Sequence, residues 1–180
     1  MKILVLHASF DGQTERIAER IGAVLRSTGH DVYVRPSTAA AETIPGCDAL
    51  VVGAGIRYGH HSRALERMLR RQVEAVVARP NAFFSVCLSA GGPGAKPAEA
   101  RRYVEDFRRS TGWNPEQVAS FAGALRYSEY NFFIRLLMRM IVGMAGGDTD
   151  TSRDYEYTDW AAVERFAREF AARLELRAAA

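Results

Sequence analysis

The stretch "ASFDGQTERI", Ala8 to Ile17, decides how the rest of this chain is read. Ahead of it "KILVLHA" (Lys2 to Ala8) is apolar nearly throughout. Behind it Ile17, Ile21, Val24 and Leu25 fall on one face of a helical repeat. A buried strand therefore ends, Ser9 to Gly12 turn the chain tightly, and a helix begins near Gln13. N–H groups at a helix start, with the helix dipole behind them, form a site for an anion. Ser9 and Thr14 add hydroxyl donors, and Gly12 lets the backbone come close. No Lys or Arg stands between Lys2 and Arg16, so an anion here is held by neutral donors. The Asp11 carboxylate is expected to turn away and cap the helix. A plain strand-to-helix turn with an Asp cap accounts for the same residues, and the stretch alone leaves both readings open.

Outward from this turn, short apolar runs keep alternating with helical patterns. The first helix stops at Gly29, and "DVYVRP" (31–36) is a short strand closed by Pro36. "DALVVGAGI" (48–56) is a third strand. "SRALERMLRRQVEAVVA" (62–78) follows as one helix with Leu65, Met68, Leu69 and Val73 on a face. "AFFSVCLSA" (82–90) is a fourth strand, and a helix over about 98–110 buries Tyr103, Val104 and Phe107. "QVASFAGAL" (117–125) is a fifth strand, and "DWAAVERFAREFAARLEL" (159–176) is a closing helix capped by Thr158 or Asp159. Strands that are apolar on both faces and alternate with helices imply an α/β fold with a covered parallel sheet. Five of them suit a doubly wound sheet in the order 2-1-3-4-5, which binds ligands at the carboxyl ends of strands one and three.

With 180 residues the chain can bury a substantial core, and no linker, repeat or low-complexity segment divides it. The 48% hydrophobic and 25% charged content is that of a globular protein, which excludes wholesale disorder. Cys47 and Cys87, in separate strand-like runs, form neither a disulfide framework nor a metal motif, which suits a reducing cytoplasm. "KILVLHA" is too short for a signal-peptide core, and no apolar run reaches the roughly 18–20 residues that span a bilayer. Lys and Arg exceed Asp and Glu by 24 to 21, a mild basic balance that suits an anionic partner. Two nucleotide motifs are absent. "GGPGAKP" (91–97) lacks the spacing and the hydroxyl of a Walker A loop, and "GAGIRYG" follows the wrong strand for a dinucleotide fingerprint. Neither nucleophile-elbow serine nor zinc spacing occurs. Basic helix faces such as "RRYVEDFRR" lack stacking aromatics, so no nucleic-acid partner is expected.

The turn Ser9-x-Asp11-Gly12-Gln13-Thr14 is similar to the FMN phosphate loop of flavodoxins. Four further stretches narrow the match: "GAGIRYGHH" (53–61), "AGALRY" (122–127), "GGDTDT" (146–151) and "YTDW" (157–160). In this order, and with "DGQT" ahead of them, they resemble the menaquinone-dependent protoporphyrinogen IX dehydrogenases, small flavodoxin-like enzymes of haem biosynthesis. The resemblance runs from Lys2 to about Phe170. It implies a single flavodoxin-like domain over 1–180 with an insertion in strand five, about 126–151. It also implies FMN, oxidation of protoporphyrinogen IX to protoporphyrin IX, and electron transfer to a quinone, menaquinone or ubiquinone. By the same resemblance Ser9, Phe10, Asp11, Gly12, Gln13 and Thr14 cradle the phosphate. Tyr58 and Gly59, within "IRYGH", lie beside the isoalloxazine, and Ser89, Ala90 and Gly91, within "LSAGG", lie on its other side. Flavodoxins often carry an aromatic in that last loop, and here every residue in it is small. Tyr58 is thus expected to stack on one flavin face while the other stays open to a bulky substrate. The alternatives are a flavodoxin-type electron carrier, an FMN-dependent quinone reductase without porphyrinogen activity, and a cofactor-free receiver or scaffold domain. The basic balance weighs against a carrier, and a lone Asp11 weighs against a receiver.

Within the expected insertion, "NFFIRLLMRMIVGM" (131–144) carries ten large apolar side chains and no acid. A helix of that length is about 21 Å long, short of a hydrocarbon core of about 30 Å. Asn131, Arg135 and Arg139 form a narrow polar stripe, and Phe132, Phe133, Leu136, Leu137, Met140 and Met144 cover the rest. So much apolar area needs a cover: its own domain, a partner subunit, the bilayer interface, or a large apolar ligand. The arginines suit lipid phosphates or the propionates of a tetrapyrrole. A cytoplasmic protein peripheral to the inner face of the cell membrane is the expectation. His60 and His61 are expected to start the third-strand helix, where one of them can relay protons. Arg57 suits a reduced, anionic flavin, a substrate carboxylate or plain solvent exposure.

Overall fold

The computed structural model describes residues 1–37, 44, 46–125, 143 and 150–179. Strands β1 (Lys2–Ala8), β2 (Asp31–Pro36), β3 (Ala49–Gly55), β4 (Asn81–Val86) and β5 (Gln117–Phe121) pair in parallel in the order β2-β1-β3-β4-β5. The two-residue period of a strand sorts β1 between two apolar layers. Ile3 and Val5 join Ile17, Ile21 and Leu25 of α1 (Gln13–Ser27) and Val163, Phe166 and Phe170 of α5 (Trp160–Ala178). Leu4 and Leu6 belong to the opposite layer. There Leu65 and Leu69 of α2 (Arg63–Arg71) meet Phe107 of α4 (Pro97–Thr111), Phe83 and Trp113. Phe83 stacks on Phe107 with ring centroids 4.1 Å apart, and Trp113 donates its indole N–H to the Asn81 side-chain oxygen at 3.0 Å.

The register brings Ala8 beside Ala54, Gly55 beside Val86, and Val86 beside Phe121. Residues 9–12, 56–62 and 87–92 therefore leave the sheet along one edge. The chain winds from β1 outward to β2 on one side and continues to β3 on the other, so this edge includes the point where the winding reverses.

Three expectations need correcting. The run after β3 is two helices, α2 and α3 (Val73–Val77), broken at Gln72, whose backbone (φ −123°, ψ 20°) leaves the helical region. Cys47 precedes β3 rather than lying in it, and both cysteines are free thiols. The fifth strand stops at Phe121. Ala124–Leu125 (β6) instead pairs antiparallel with Tyr155–Glu156 (β7). The reason is a set of bonds to the returning chain: Tyr157 N–H donates to the Gly123 carbonyl at 3.1 Å, and the Thr158 hydroxyl to the Ala122 carbonyl at 2.8 Å. Of the two caps expected for α5, Asp159 takes the role, accepting from the Ala162 N–H at 3.0 Å. The expected insertion falls almost wholly outside the described residues, as do Phe132, Phe133, Arg135, Leu136, Arg139 and Met140. Among the described residues no helix is long and apolar enough to cross a membrane.

Candidate functional site

Helix α1 begins where the sequence pattern puts it, but its cap differs. The residue at the N-cap is Gly12, in the left-handed region at φ 77°, with no side-chain cap bond. Asp11 is exposed and does not take the capping role expected of it. A left-handed residue at the cap lets the chain enter the helix without laying a side chain across its end. The first-turn N–H groups, which have no intrahelical partner, therefore keep no carboxylate cap. The Ser9 hydroxyl oxygen is buried and has no hydrogen-bond partner among the described residues. Thr14 is buried, and a Cβ placed on Gly55 would stand 2.8 Å from its hydroxyl oxygen. The end of β3 thus passes close beneath the Thr14 side chain because residue 55 has none.

The Gln13 side chain does a different job. Its amide donates to the Thr158 hydroxyl at 2.8 Å, while its carbonyl accepts from Arg16 at 3.1 Å. Since Thr158 in turn donates to Ala122, the start of α1 is tied through one chain of bonds to the end of β5. Arg16 is also paired with Glu156 at 2.6 Å and lies over the Trp160 ring, and Arg20 pairs with Glu164. An open groove of about 800 Å³ lined by Gly12, Glu15, Arg16, Glu19, Arg20 and Trp160 runs beside this corner. Its two cations already have carboxylate partners, and the turn itself offers only uncharged donors.

The second loop folds as a four-residue turn. Arg57 and His60 exchange both backbone hydrogen bonds, at 2.9 and 3.1 Å, around Tyr58 (φ 51°) and Gly59 (φ 79°). All four residues are exposed, Tyr58 by 70%. The Arg57 guanidinium sits 5.3 Å from the Tyr58 ring centre and 5.5 Å from that of Phe10, itself 43% exposed. His60 and His61 do not open the helix: Ser62 caps it and α2 starts at Arg63. His61 is buried, bonded to the Ser85 hydroxyl at 2.9 Å and edge-on to Phe83 and Phe107. Burial and the neighbouring His60 push its pKa down to about 4, so it is neutral at physiological pH and sealed from any surface relay. His7 at the end of β1 is also buried, and burial holds it below the ordinary imidazole range.

The third loop, Ser89, Ala90 and Gly91, is half-buried. The Ser89 hydroxyl donates to Glu99 at 2.7 Å and Tyr103 donates to the same carboxylate at 3.0 Å, anchoring the loop to α4. The Ser89 bond is the main reason the Glu99 carboxyl stays below its usual range. Gly91 and Gly92 are closed in by Ala122 and the Tyr157 ring, where a Cβ would stand 2.8 and 2.9 Å away. Burial pushes the nearby Cys87 thiol up to about 11, so it is not a thiolate nucleophile at neutral pH. Among the described residues no group of three metal-ligating side chains converges.

A flavodoxin-domain family model matches residues 4–152. A protoporphyrinogen IX dehydrogenase [quinone] of Escherichia coli K12 is 36% identical over 172 residues, 95% of each chain. The chain belongs to the protoporphyrinogen IX dehydrogenase family of flavodoxin-domain proteins. Its counterpart in Leishmania major is 37% identical over 176 residues, covering 95% of this chain and 75% of that protein. Among solved structures, oxidised flavodoxin 1 from Bacillus cereus superposes with a TM-score of 0.57 at 14% identity, over 96% of this chain and 98% of the other. That likeness fixes the architecture, a five-stranded sheet wound as in flavodoxins.

Within this protoporphyrinogen IX dehydrogenase family member, three supports around the loops were not read from the sequence. "YTDW" was legible as a motif, yet its work, closing on Ala122, Gly123 and Gln13, needs the returning chain in place. Glu99 lies ten residues from Ser89 in an ordinary helix, and Ser85 lies mid-strand. Neither carries a local signal.

Proposed function

We propose that this chain is an FMN-dependent protoporphyrinogen IX dehydrogenase that passes its electrons to a quinone. The observation that carries the reading is the buried Ser9 hydroxyl without a partner, set at a helix start that has no side-chain cap. Such an atom is costly in a folded protein unless something satisfies it, and a phosphate monoester does so together with the free first-turn N–H groups. The residues at this edge therefore fit FMN. Ser9, Thr14 and the backbone of Phe10 to Thr14 hold the phosphate, Asp11 stays at the solvent side, and Gln13 fixes the helix start from behind. Tyr58 and Gly59 on one side, and Ser89, Ala90 and Gly91 on the other, flank the ring.

When bound, FMN supplies the two-electron acceptor for each of the three dehydrogenation steps and returns the electrons to quinone. The protein's part is position and electrostatics. No indispensable acid–base side chain is expected: His61 is sealed in the core, and exposed His60 serves at most as a local proton carrier. Quinones and the ring system of a porphyrinogen are both apolar, which suits a site at a membrane face. The segment 131–144, with its apolar cover and its two arginines, supplies a peripheral contact with the inner face of the cell membrane.

The test is an absorbance scan of the purified protein, FMN titration of its apo form, and anaerobic addition of protoporphyrinogen IX. A yellow protein bleached by that substrate and recoloured by menaquinone is the expected result, with Ser9→Ala binding FMN about tenfold more weakly. A protein that stays colourless with FMN sinks the cofactor. One bleached by dithionite but not by protoporphyrinogen is a carrier or a quinone reductase without porphyrinogen activity.

A further inference from the structure

We propose that Arg57, set beside the Phe10 and Tyr58 rings, is a carboxylate-reading subsite that selects the porphyrinogen over the quinone. The inference rests on the function proposed above and assigns the part of the site that recognises the substrate's acid groups. Among the arginines around the three loops, Arg16 pairs with Glu156, Arg20 with Glu164, and Arg102 with Glu99. Arg57 faces no carboxylate among the described residues, although its guanidinium is held in place. Its centre is 5.5 Å from the Phe10 ring and 5.3 Å from the Tyr58 ring.

Both rings lie near the guanidinium, and no carboxylate among the described residues takes its N–H donors. Aromatic rings take up the faces of a guanidinium, while its N–H donors lie in its plane and point outward. A guanidinium that rests beside two rings and has no carboxylate partner is suited to a two-pronged bond to a carboxylate, with less side-chain freedom to lose than a fully solvated arginine. The two rings are themselves exposed, at 43% and 70%, and present apolar surface beside the charge. The chemistry that completes all three groups is an apolar ring system carrying a carboxylate on a short arm. A propionate-bearing tetrapyrrole has it and a quinone does not.

Position adds a second reason. Phe10 leaves the end of β1 and Arg57 and Tyr58 leave the end of β3, so the group straddles the two loops that meet where the winding reverses. A ligand held there by one acid arm keeps its ring system against the same edge. The open groove beside Trp160 offers no comparable site, since its arginines already have partners.

The experiment compares the holoenzyme with its Arg57→Gln and Arg57→Lys variants, using three substrates: protoporphyrinogen IX, its dimethyl ester, and menaquinone. In the wild type, esterification should raise KM about tenfold. Arg57→Gln should raise KM for the free acid by a similar factor, show no preference between acid and ester, and leave KM for menaquinone and the Kd for FMN unchanged. Arg57→Lys, which keeps the charge without the two-pronged geometry, should fall between. An Arg57→Gln variant that still prefers the acid overturns the proposal, as does one whose weakened FMN binding accounts for the whole loss. A wild type that oxidises neither porphyrinogen sinks the proposed function itself, and this subsite with it.

Discussion

Tyr58 holds the one positive φ, 51°, among the described non-glycine residues. Its turn needs left-handed backbone at both central positions, which Asn and Gly supply readily and a tyrosine does not. The cost to an ordinary side chain is roughly 1–2 kcal/mol, and an exposed ring recovers little of it through burial. A strained residue kept beside a binding edge points to its side chain, not its backbone, as the reason it is there. With the ring removed in both variants, Tyr58→Gly should be about 1 kcal/mol more stable to urea than Tyr58→Ala. Equal midpoints would mean that the turn relaxes without left-handed backbone. At this scale the sequence showed the tyrosine and its glycine neighbour but not the strain, because the φ of residue 58 is imposed by the hydrogen bonds between Arg57 and His60.

The segment between β3 and α2 is pinned at its far end by a buried pair, His61 and Ser85. Desolvation favours neutral imidazole in the folded state, where its pKa is about 4 against 6.5 in an open chain. The unfolded chain therefore binds the extra proton first. Stability should be at its full value above pH 6.5, fall as pH drops toward 4, and lose on the order of 3 kcal/mol across that window. His61→Gln keeps a partner for Ser85 and does not titrate, so it should remove most of this slope in urea melts at a series of pH values. His7 and His30, both lowered chiefly by burial, contribute to the remainder, and at its acid end so do carboxylates held below their usual range, such as Glu99. An unchanged slope in His61→Gln would show that His61 is not the group responsible. Two adjacent histidines at the mouth of a helix read alike in sequence. The packing of α4 against α2 decided between them, burying one against Phe107 and leaving the other in solvent.

At the scale of the whole molecule, the described residues form two apolar layers, one on each face of the sheet, and the sequence of 131–144 adds ten large apolar side chains and no acid. The wild type is expected to co-sediment with vesicles of phosphatidylethanolamine and phosphatidylglycerol, more weakly at high salt. Removing Phe132 to Met144 should abolish that binding and most porphyrinogen turnover while leaving FMN bound. By contrast, His60→Ala should slow turnover far less than the deletion does. Loss of flavin along with the segment would show that it belongs to the domain's own packing. Equal sedimentation by both proteins would remove the bilayer from the account.

The alternation of buried strands with amphipathic helices, written into residues 2–125 and 159–176, was enough to determine a parallel sheet and its order. Burying both strand faces leaves a chain of this pattern few other ways to fold. The turn after strand one was legible too, since a glycine and a helix start are local features. What only the tertiary structure decided was which groups were left over once the elements met. Gly12 rather than Asp11 stands at the helix cap, Gln13 is drawn into a bond with Thr158, strand five gives up its last residues to the returning chain, and Arg57 ends beside two rings with no acid partner among the described residues. Each depends on partners far away in sequence. Hydrogen bonds and burial are satisfied in space, and no local pattern records which distant residue will satisfy them.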